Sequence, residues 1–517
     1  MARTLVAALQ LAALATVLAF RFPRGFALDD AWIHQVVART FVETGVLGFD
    51  PSHPGSGATS LLWTLLLSIN PALFHVAPPV FTILVTAGCL LGCGQLIYGL
   101  ALADGLDDAE AALVAVAFAA SGNVVWFAAS GMEVTLVVLL TLAALHFAFS
   151  KASLRSSGSA GAVLVLLFFT RPETILFGFL LVLVRRRTWR EVGALLGPVV
   201  IAAAVYATVN VSHTGHAFPV TFEGRRWLSR IGLLGATPVD VGWSLLGQWF
   251  DRLAEYTLGT PSPLVFFVAL GLAFSGVHRL VTERRARLAT IVAWAVVHTL
   301  VYVALLPSLG HGGRYQPFVP AVFSVGAVFG ALRLGESVAA RAALPARRAV
   351  AWALVLPLVF AMSRAVVAWG DANTLAVQHE DATELAVARD VAALPADAVV
   401  ASFDIGAIAY FSRRPIEDLG GLVQPAIVPF LREGRAVEWL RHVKATHLVL
   451  PLGYRNDLPE PFNFGDILRV FGSSELRLQV VADHVTPLVS WLGGVRATSN
   501  SAPRQRLYRI VWQRGAP

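Results

Sequence analysis

Ser60-Leu61-Leu62-Trp63-Thr64-Leu65-Leu66-Leu67-Ser68-Ile69-Asn70-Pro71-Ala72-Leu73-Phe74-His75-Val76 is apolar enough to pass for a membrane crossing, and whether it crosses sets the sidedness of everything after it. Asn70-Pro71 interrupts it, because proline removes a helical hydrogen bond and an asparagine amide is costly in hydrocarbon. The stretch therefore reads as an interfacial or re-entrant segment. Around it lie eleven further apolar runs, at about 4–20, 79–102, 109–128, 132–150, 159–170, 173–184, 192–210, 262–277, 288–307, 317–334 and 348–367. The fifth and sixth of these, 159–170 and 173–184, are short for two full crossings and read as a tilted helical hairpin with its tip in the outer headgroup region.

The positive-inside rule tests that reading. With the amino terminus inside, Lys151 and Arg155, then Arg185, Arg186, Arg187 and Arg190, then Arg279, Arg284, Arg285 and Arg287, then Arg333, Arg341, Arg347 and Arg348 all fall in cytoplasmic loops. A crossing at 60–76 would turn every one of those clusters outward. The first run resembles a signal peptide, yet Arg21 and Arg24 follow it without a small-residue cleavage site, and it is read as a retained span.

Composition agrees with a membrane protein. Hydrophobic residues make up 56% of the 517, charged residues 14%, and the mean hydropathy is +0.66. The net charge of +7 sits in short loops between apolar runs, which is a topology signal and not a nucleic-acid footprint. Cys89 and Cys93, the only cysteines, are four apart within one apolar run and read as small core residues.

The loops at 21–60, 129–131, 171–173, 211–261 and 308–316 then face outward together with the tail after about 368. The tail carries a helical pattern at 383–393 and short buried-strand patterns at 399–403 and 447–450. Alternating runs at 477–481 and 506–511 fit edge or antiparallel strands. The expected division is a membrane domain over 1–367 and an extracytoplasmic α/β domain over 368–517.

Polar chemistry gathers on that outer side. In Phe26-Ala27-Leu28-Asp29-Asp30-Ala31-Trp32-Ile33-His34 two carboxylates stand side by side, and their repulsion should raise one pKa, as a general base requires. The plainer reading makes one of them the N-cap of an amphipathic helix at 31–43, with Trp32, Val36, Val37 and Phe41 on its apolar face. In His311-Gly312-Gly313-Arg314-Tyr315-Gln316-Pro317 an arginine in a glycine-rich loop at headgroup level is placed to hold a phosphate, with His311 and Tyr315 beside it. The alternative is an arginine that anchors the next span. Arg171 and Glu173 lie between two apolar half-segments, and Glu133 opens a span; each reads as a site residue or as a structural pair or dipole partner. His213, His216, Glu223, Arg225 and Arg226 occupy the long outer loop in no metal-binding spacing. Asp30 and His34 form an i, i+4 pair that would contribute two ligands to a divalent cation (Mg or Mn), but two ligands do not make a site, and no metal ligand set is assigned.

Leu28-Asp29-Asp30-Ala31-Trp32-Ile33, Phe49-Asp50-Pro51 and Thr59-Ser60-Leu61-Leu62-Trp63 resemble the first outer loop of GT-C glycosyltransferases. These polytopic enzymes use polyprenyl-phosphate sugars, and include bacterial aminoarabinose transferases, protein O-mannosyltransferases and arabinofuranosyltransferases. Ser130-Gly131-Met132-Glu133, Thr170-Arg171-Pro172-Glu173, Gly312-Gly313-Arg314-Tyr315-Gln316-Pro317 and Asp404-Ile405-Gly406-Ala407-Ile408-Ala409-Tyr410-Phe411 match further segments in the same order. The resemblance implies a GT-C membrane domain, for which the apolar runs count about eleven transmembrane helices, and an acidic residue of the first loop as base. That match falls on Asp29 and Asp30, with Asp29 ranked first. The loop His53-Pro54-Gly55-Ser56-Gly57-Ala58 departs from the pattern by being glycine-rich.

The function expected is transfer of a sugar, with inversion, from a polyprenyl-phosphate donor to a hydroxyl of a glycan, lipid or protein acceptor, on the outer face of a bacterial inner membrane. Asp29 or Asp30 acts as base. Arg314, Arg171, His311 and Tyr315 hold the donor phosphate, while Glu133, Glu173, His34 and Trp32 line the substrate site. A transporter or flippase would place polar residues at span centres and show repeated halves, and neither is visible. A non-catalytic envelope scaffold would tolerate loss of Asp29. An oligosaccharide ligase or polymerase would lean on outer arginines more than on an acidic pair.

Overall fold

The computed structural model describes the chain apart from residues 20–24, 53, 56, 58, 232–236, 254–256, 259–261, 307–309, 343–346, 453–467, 487–503 and 514–517. Arg21, Arg24, His53, Ser56 and Ala58 lie outside the described residues.

Each of the eleven apolar runs coincides with helix, but the helices differ in reach. Six are long and apolar enough to cross a membrane: Pro78–Ala103, Trp189–Thr214, Pro263–Thr282, Ala286–Leu305, Phe318–Arg341 and the last one, from Arg348. The 109–128 run is not one straight helix. It divides into Asp108–Ala119 and Gly122–Ala129, bent by 54° at Ala120-Ser121, and counting the pair as one span gives seven. Ala2–Leu18, Val134–Ala148 and Leu154–Thr170 are shorter apolar helices. Between Leu154–Thr170 and Ile175–Leu183 the chain turns through extended Arg171 (φ −150°, ψ 110°) and a 3₁₀ turn at Pro172–Thr174. At 60–76 the helix Leu61–Ile69 loosens into a π turn at Asn70–Phe74, and the Asn70 side chain bonds both backbone groups of Val76. Fourteen helical residues rise about 21 Å, short of a hydrocarbon core of about 30 Å.

Pro263–Thr282 and Phe318–Arg341 pack backbone to backbone through glycine. A Cβ on Gly276 would lie 1.9 Å from the Gly326 carbonyl oxygen, and one on Gly330 would lie 2.0 Å from that of Leu272.

The final helix, Arg347–Ala382, runs for 36 residues, about 54 Å, and passes 367/368 without a break. Beyond it, after the helix Glu384–Ala393, the chain forms a five-stranded sheet: β1 (Val400–Ser402), β2 (Ile416–Asp418), β3 (His447–Leu452), β4 (Leu476–Val485) and β5 (Arg504–Trp512). The order is β2-β1-β3-β5-β4, with β2, β1 and β3 parallel and β5 antiparallel to both β3 and β4. Central β3 is buried along its whole length, whereas edge strand β4 is mostly exposed and carries a bulge at Val480/Ala482.

The helix Asp29–Thr44 lies between the two parts. Its Ala31, Trp32 and Ala38 join the core of the membrane helices, while Ile33, Val36 and Val37 join a cluster with Val387, Val391, Val400, Ile405 and Ile408. An amphipathic helix with one wet face was expected here. Most of 29–40 is buried on both faces: the sheet region takes Ile33, Val36 and Val37, and the polar side lies against the helices Leu61–Ile69 and Pro78–Ala103, where His34 meets Thr64 and Gln35 donates to Thr82.

Candidate active site

Asp29 and Asp30 occupy the first turn of the Asp29–Thr44 helix, where carboxylates suit the partial positive charge of the N-terminus. Extended Leu28 is the N-cap, and no side chain caps this helix, so the capping role considered for the pair is not what either carboxylate does here.

Asp29 points toward the sheet region. Its Oδ2 accepts N–H bonds from Ile405 (3.1 Å) and Gly406 (2.8 Å), and its Oδ1 accepts one from Ala407 (2.6 Å). Glycine at 406 permits that approach, since a Cβ there would sit 2.2 Å from the Asp29 carbonyl oxygen. Burial pushes the Asp29 carboxyl up to about 6 against the pull of the three amides, and the neighbouring Asp30 charge adds to the rise.

Asp30 points the other way, between two guanidiniums. Arg225 Nη2 donates to Oδ1 at 3.0 Å and Arg314 Nη2 donates to Oδ2. Burial works to raise this carboxyl, but the charges of Arg225 and Arg314 overcome it and hold Asp30 well below the usual carboxylate range. Arg225 comes from the helix Thr221–Ile231. Arg314 follows the 3₁₀ turn His311–Gly313; Gly312 and Gly313 within it and Gly310 just before it all have positive φ. A Cβ on Gly312 would meet the Trp126 ring at 2.3 Å, so only glycine lets the turn sit down on that indole. Arg314 is 2% exposed, and its Nε and Nη1 have no hydrogen-bond partner among the described residues.

Tyr315 joins this pair to a second group. Its ring lies 5.3 Å from the Arg314 guanidinium, 5.8 Å from that of Arg225 and 5.6 Å from that of Arg171, and it stacks on Tyr302 at 5.4 Å. Arg225 also donates to the Tyr315 hydroxyl. Arg171 is fixed by Glu133 (2.6 Å) and by the Tyr302 hydroxyl (2.6 Å), which in turn donates to Glu173 at 2.5 Å. His34 stands 3.7 Å from Glu133 and 3.4 Å from the Thr64 hydroxyl. His311 lies within electrostatic reach of Asp30.

Asp30, Arg314, Tyr315, Arg171, Glu133, Glu173, His34 and His311 are thus brought together. Trp32 is not among them: it packs with Phe26, Tyr410 and Phe411 at centroid distances of 4.7–4.9 Å. Asp29 turns away from them to the backbone amides of 405–407. Arg225 and Tyr302 carried no motif; the sequence signals for them were an arginine on the side where basic residues are few and a tyrosine at the outer end of a span.

The donor set does not fit a divalent cation. Both Asp30 oxygens face guanidiniums, His34 faces Glu133 and Thr64, and among the described residues no group of three or more His, Cys, Asp or Glu side chains is arranged to hold a metal.

The fold matches ArnT from Cupriavidus metallidurans bound to undecaprenyl phosphate, with a TM-score of 0.55 over 98% of this chain and 97% of that one, at 13% identity. The apo state of the same ArnT aligns with a TM-score of 0.55, 12% identity and the same coverage. This chain has the GT-C glycosyltransferase fold. The GT-C fold and the apolar helices together make it a multi-pass membrane protein. An Archaeoglobus fulgidus oligosaccharyltransferase complex with Zn and sulfate also aligns, at 15% identity and a TM-score of 0.49 over 87% of this chain and 68% of that one. Residues 373–484, outside the GT-C membrane helices except for the end of the last one, match a family described as a domain of unknown function, DUF8728. No curated protein matches the sequence.

Proposed function

We propose that this chain is a membrane glycosyltransferase that moves a sugar from a polyprenyl-phosphate donor to an acceptor hydroxyl, with inversion, at the extracytoplasmic face of a bacterial inner membrane. The observation that carries the reading is Arg314: a guanidinium 2% exposed, paired to Asp30 through one nitrogen and leaving two others unpartnered among the described residues. Buried N–H groups without partners are costly, and a phosphate oxygen satisfies them with charge-assisted bonds.

In the reaction, the acceptor O–H gives its proton to Asp30 as the acceptor oxygen bonds to the anomeric carbon. The bond from that carbon to the phosphate oxygen breaks with its electron pair, which stays on the lipid phosphate. Arg314 and Arg225 take up that charge, and Arg171, locked between Glu133 and Tyr302, supports the Tyr315 ring beside them. The ArnT relative bound to undecaprenyl phosphate supports a lipid phosphate as donor group. Asp30 is preferred to Asp29 as base because it lies with Arg314 and Arg225, the guanidiniums that would hold the phosphate, whereas Asp29 turns to the backbone amides of 405–407. His34 and His311 border the same space and would line the substrate site, and the acceptor class is a glycan, lipid or protein.

The test is sugar transfer by purified protein in nanodiscs from a panel of radiolabelled polyprenyl-phosphate sugars, with an envelope extract as acceptor. Asp30→Asn is expected to lower the rate by about 10²–10⁴-fold, the usual weight of a general base, with the fold intact. Asp29→Asn should lower transfer far less than Asp30→Asn. No transfer from any donor by the folded wild type would sink the reading.

A further inference from the structure

The formal charges of the site cancel. Arg171, Arg225 and Arg314 stand against Asp30, Glu133 and Glu173, three positive and three negative. Around Asp30 the titratable and charged neighbours are Asp29 and His34 on its own helix, Arg225 from the 221–231 helix, His311, Arg314 and Tyr315 from the glycine turn, and Arg171 with Glu133 beyond them. A phosphodiester entering such a site makes it one charge too negative. The group best placed to restore balance is the carboxylate that shares its guanidiniums.

Resting on the donor reading above, we propose that the donor phosphate arms the base: Arg225 and Arg314 hold Asp30 and the phosphate in common, so that Asp30 accepts a proton only once the donor is seated, and the acceptor hydroxyl reacts second. Arg225 is then a positioning residue that acts on chemistry through Asp30.

Three observations carry this. Each Asp30 oxygen is engaged by a different guanidinium, which leaves the carboxylate a poor proton acceptor as it stands. Both guanidiniums reach the Tyr315 ring, so the two arginines and the stacked tyrosine form one wall from which neither arginine can follow Asp30 away. The unpartnered nitrogens belong to Arg314 itself, so an anion that satisfies them lies beside Asp30 on the same planar group, and a like charge at that distance raises the carboxylate's proton affinity. A consequence for the enzyme is that hydroxyls, water included, meet no competent base before a donor is bound.

Infrared difference spectra of the full chain in nanodiscs test this, with Asp30→Asn assigning the Asp30 carboxyl band and native mass spectrometry following lipid binding. Polyprenyl phosphate is the probe and inorganic phosphate the comparison. The Asp30 protonation midpoint is expected to rise by at least one pH unit with the lipid, about tenfold in proton affinity, and to stay put with inorganic phosphate. In Arg225→Gln the midpoint should already be raised without lipid, and the lipid's further shift should shrink. Lipid that binds without moving the midpoint overturns the proposal and leaves the donor reading standing. Lipid that does not bind overturns both. An equal shift with inorganic phosphate overturns the assignment to the lipid donor.

Discussion

Successive residues leave a helix about 100° apart, so Asp29 and Asp30 meet different neighbours although they adjoin in sequence. Asp29 enters an apolar junction and bonds three amides; Asp30 enters an arginine clamp. Their pH behaviour should therefore differ in sign. Asp30 is depressed in the fold, so its stabilising contribution is present above the unfolded value near 4 and is lost only as pH falls through the acid range. Asp29 is raised to about 6, so its contribution is fully present below about 4 and is lost as pH rises through 6. The Tm of wild type minus that of Asp29→Asn is expected to decrease between pH 4 and pH 7, measured by thermal unfolding in detergent. A difference that is flat or rises over that range would show that the amides, and not burial, govern Asp29.

At the scale of elements, glycine decides which helices can touch. Gly271 and Gly276 lie on the same helix, yet a Cβ on Gly271 meets nothing within 4 Å while one on Gly276 would sit 1.9 Å from a carbonyl oxygen of the Phe318–Arg341 helix. Gly276→Ala is expected to destabilise by about 1–3 kcal/mol, the cost of overpacking, and Gly271→Ala to be neutral, both read from thermal unfolding. Equal effects would place the contact elsewhere. This pair also marks where sequence is legible. The apolar runs announce every spanning helix because hydrocarbon demands them, and the strand patterns at 399–403 and 447–450 announce β1 and β3 because a central strand is buried on both faces. The bend at Ala120-Ser121 is not announced: its neighbour Gly122 packs against the Trp369 ring, a contact across most of the chain. Arg225 is silent for the same reason, as its partner Asp30 lies 195 positions earlier. The glycine turn before Arg314 was legible, since consecutive glycines beside an arginine need a backbone reason.

For the whole molecule, the question is how a domain outside the spans bears on a site at their ends. The short helix Gly406–Ser412 is held at both ends by the Asp29–Thr44 helix. Asp29 accepts the N–H groups at its start, and Arg39 donates to the carbonyl oxygens of Tyr410 (2.7 Å) and Ala409 (3.4 Å) at its finish. An anion at the N-terminus and a cation at the C-terminus both oppose the helix dipole's end charges, so the two contacts reinforce each other. The Arg39 guanidinium also lies 4.8 Å from the Tyr410 ring centroid, and Tyr410 packs on Trp32. The sheet region thereby backs the helix that presents Asp30. Arg39→Ala removes the clamp at one end while touching neither Asp30 nor its arginines. Hydrogen exchange by mass spectrometry on that variant should show peptides from 29–44 and from 405–412 losing protection together, with the Pro263–Thr282 and Phe318–Arg341 helices unchanged. Transfer should fall with them, because Asp30 then samples positions away from Arg225 and Arg314. If 405–412 alone loosens and transfer is unaffected, the membrane helices hold the site unaided, and the sheet region must serve the acceptor instead.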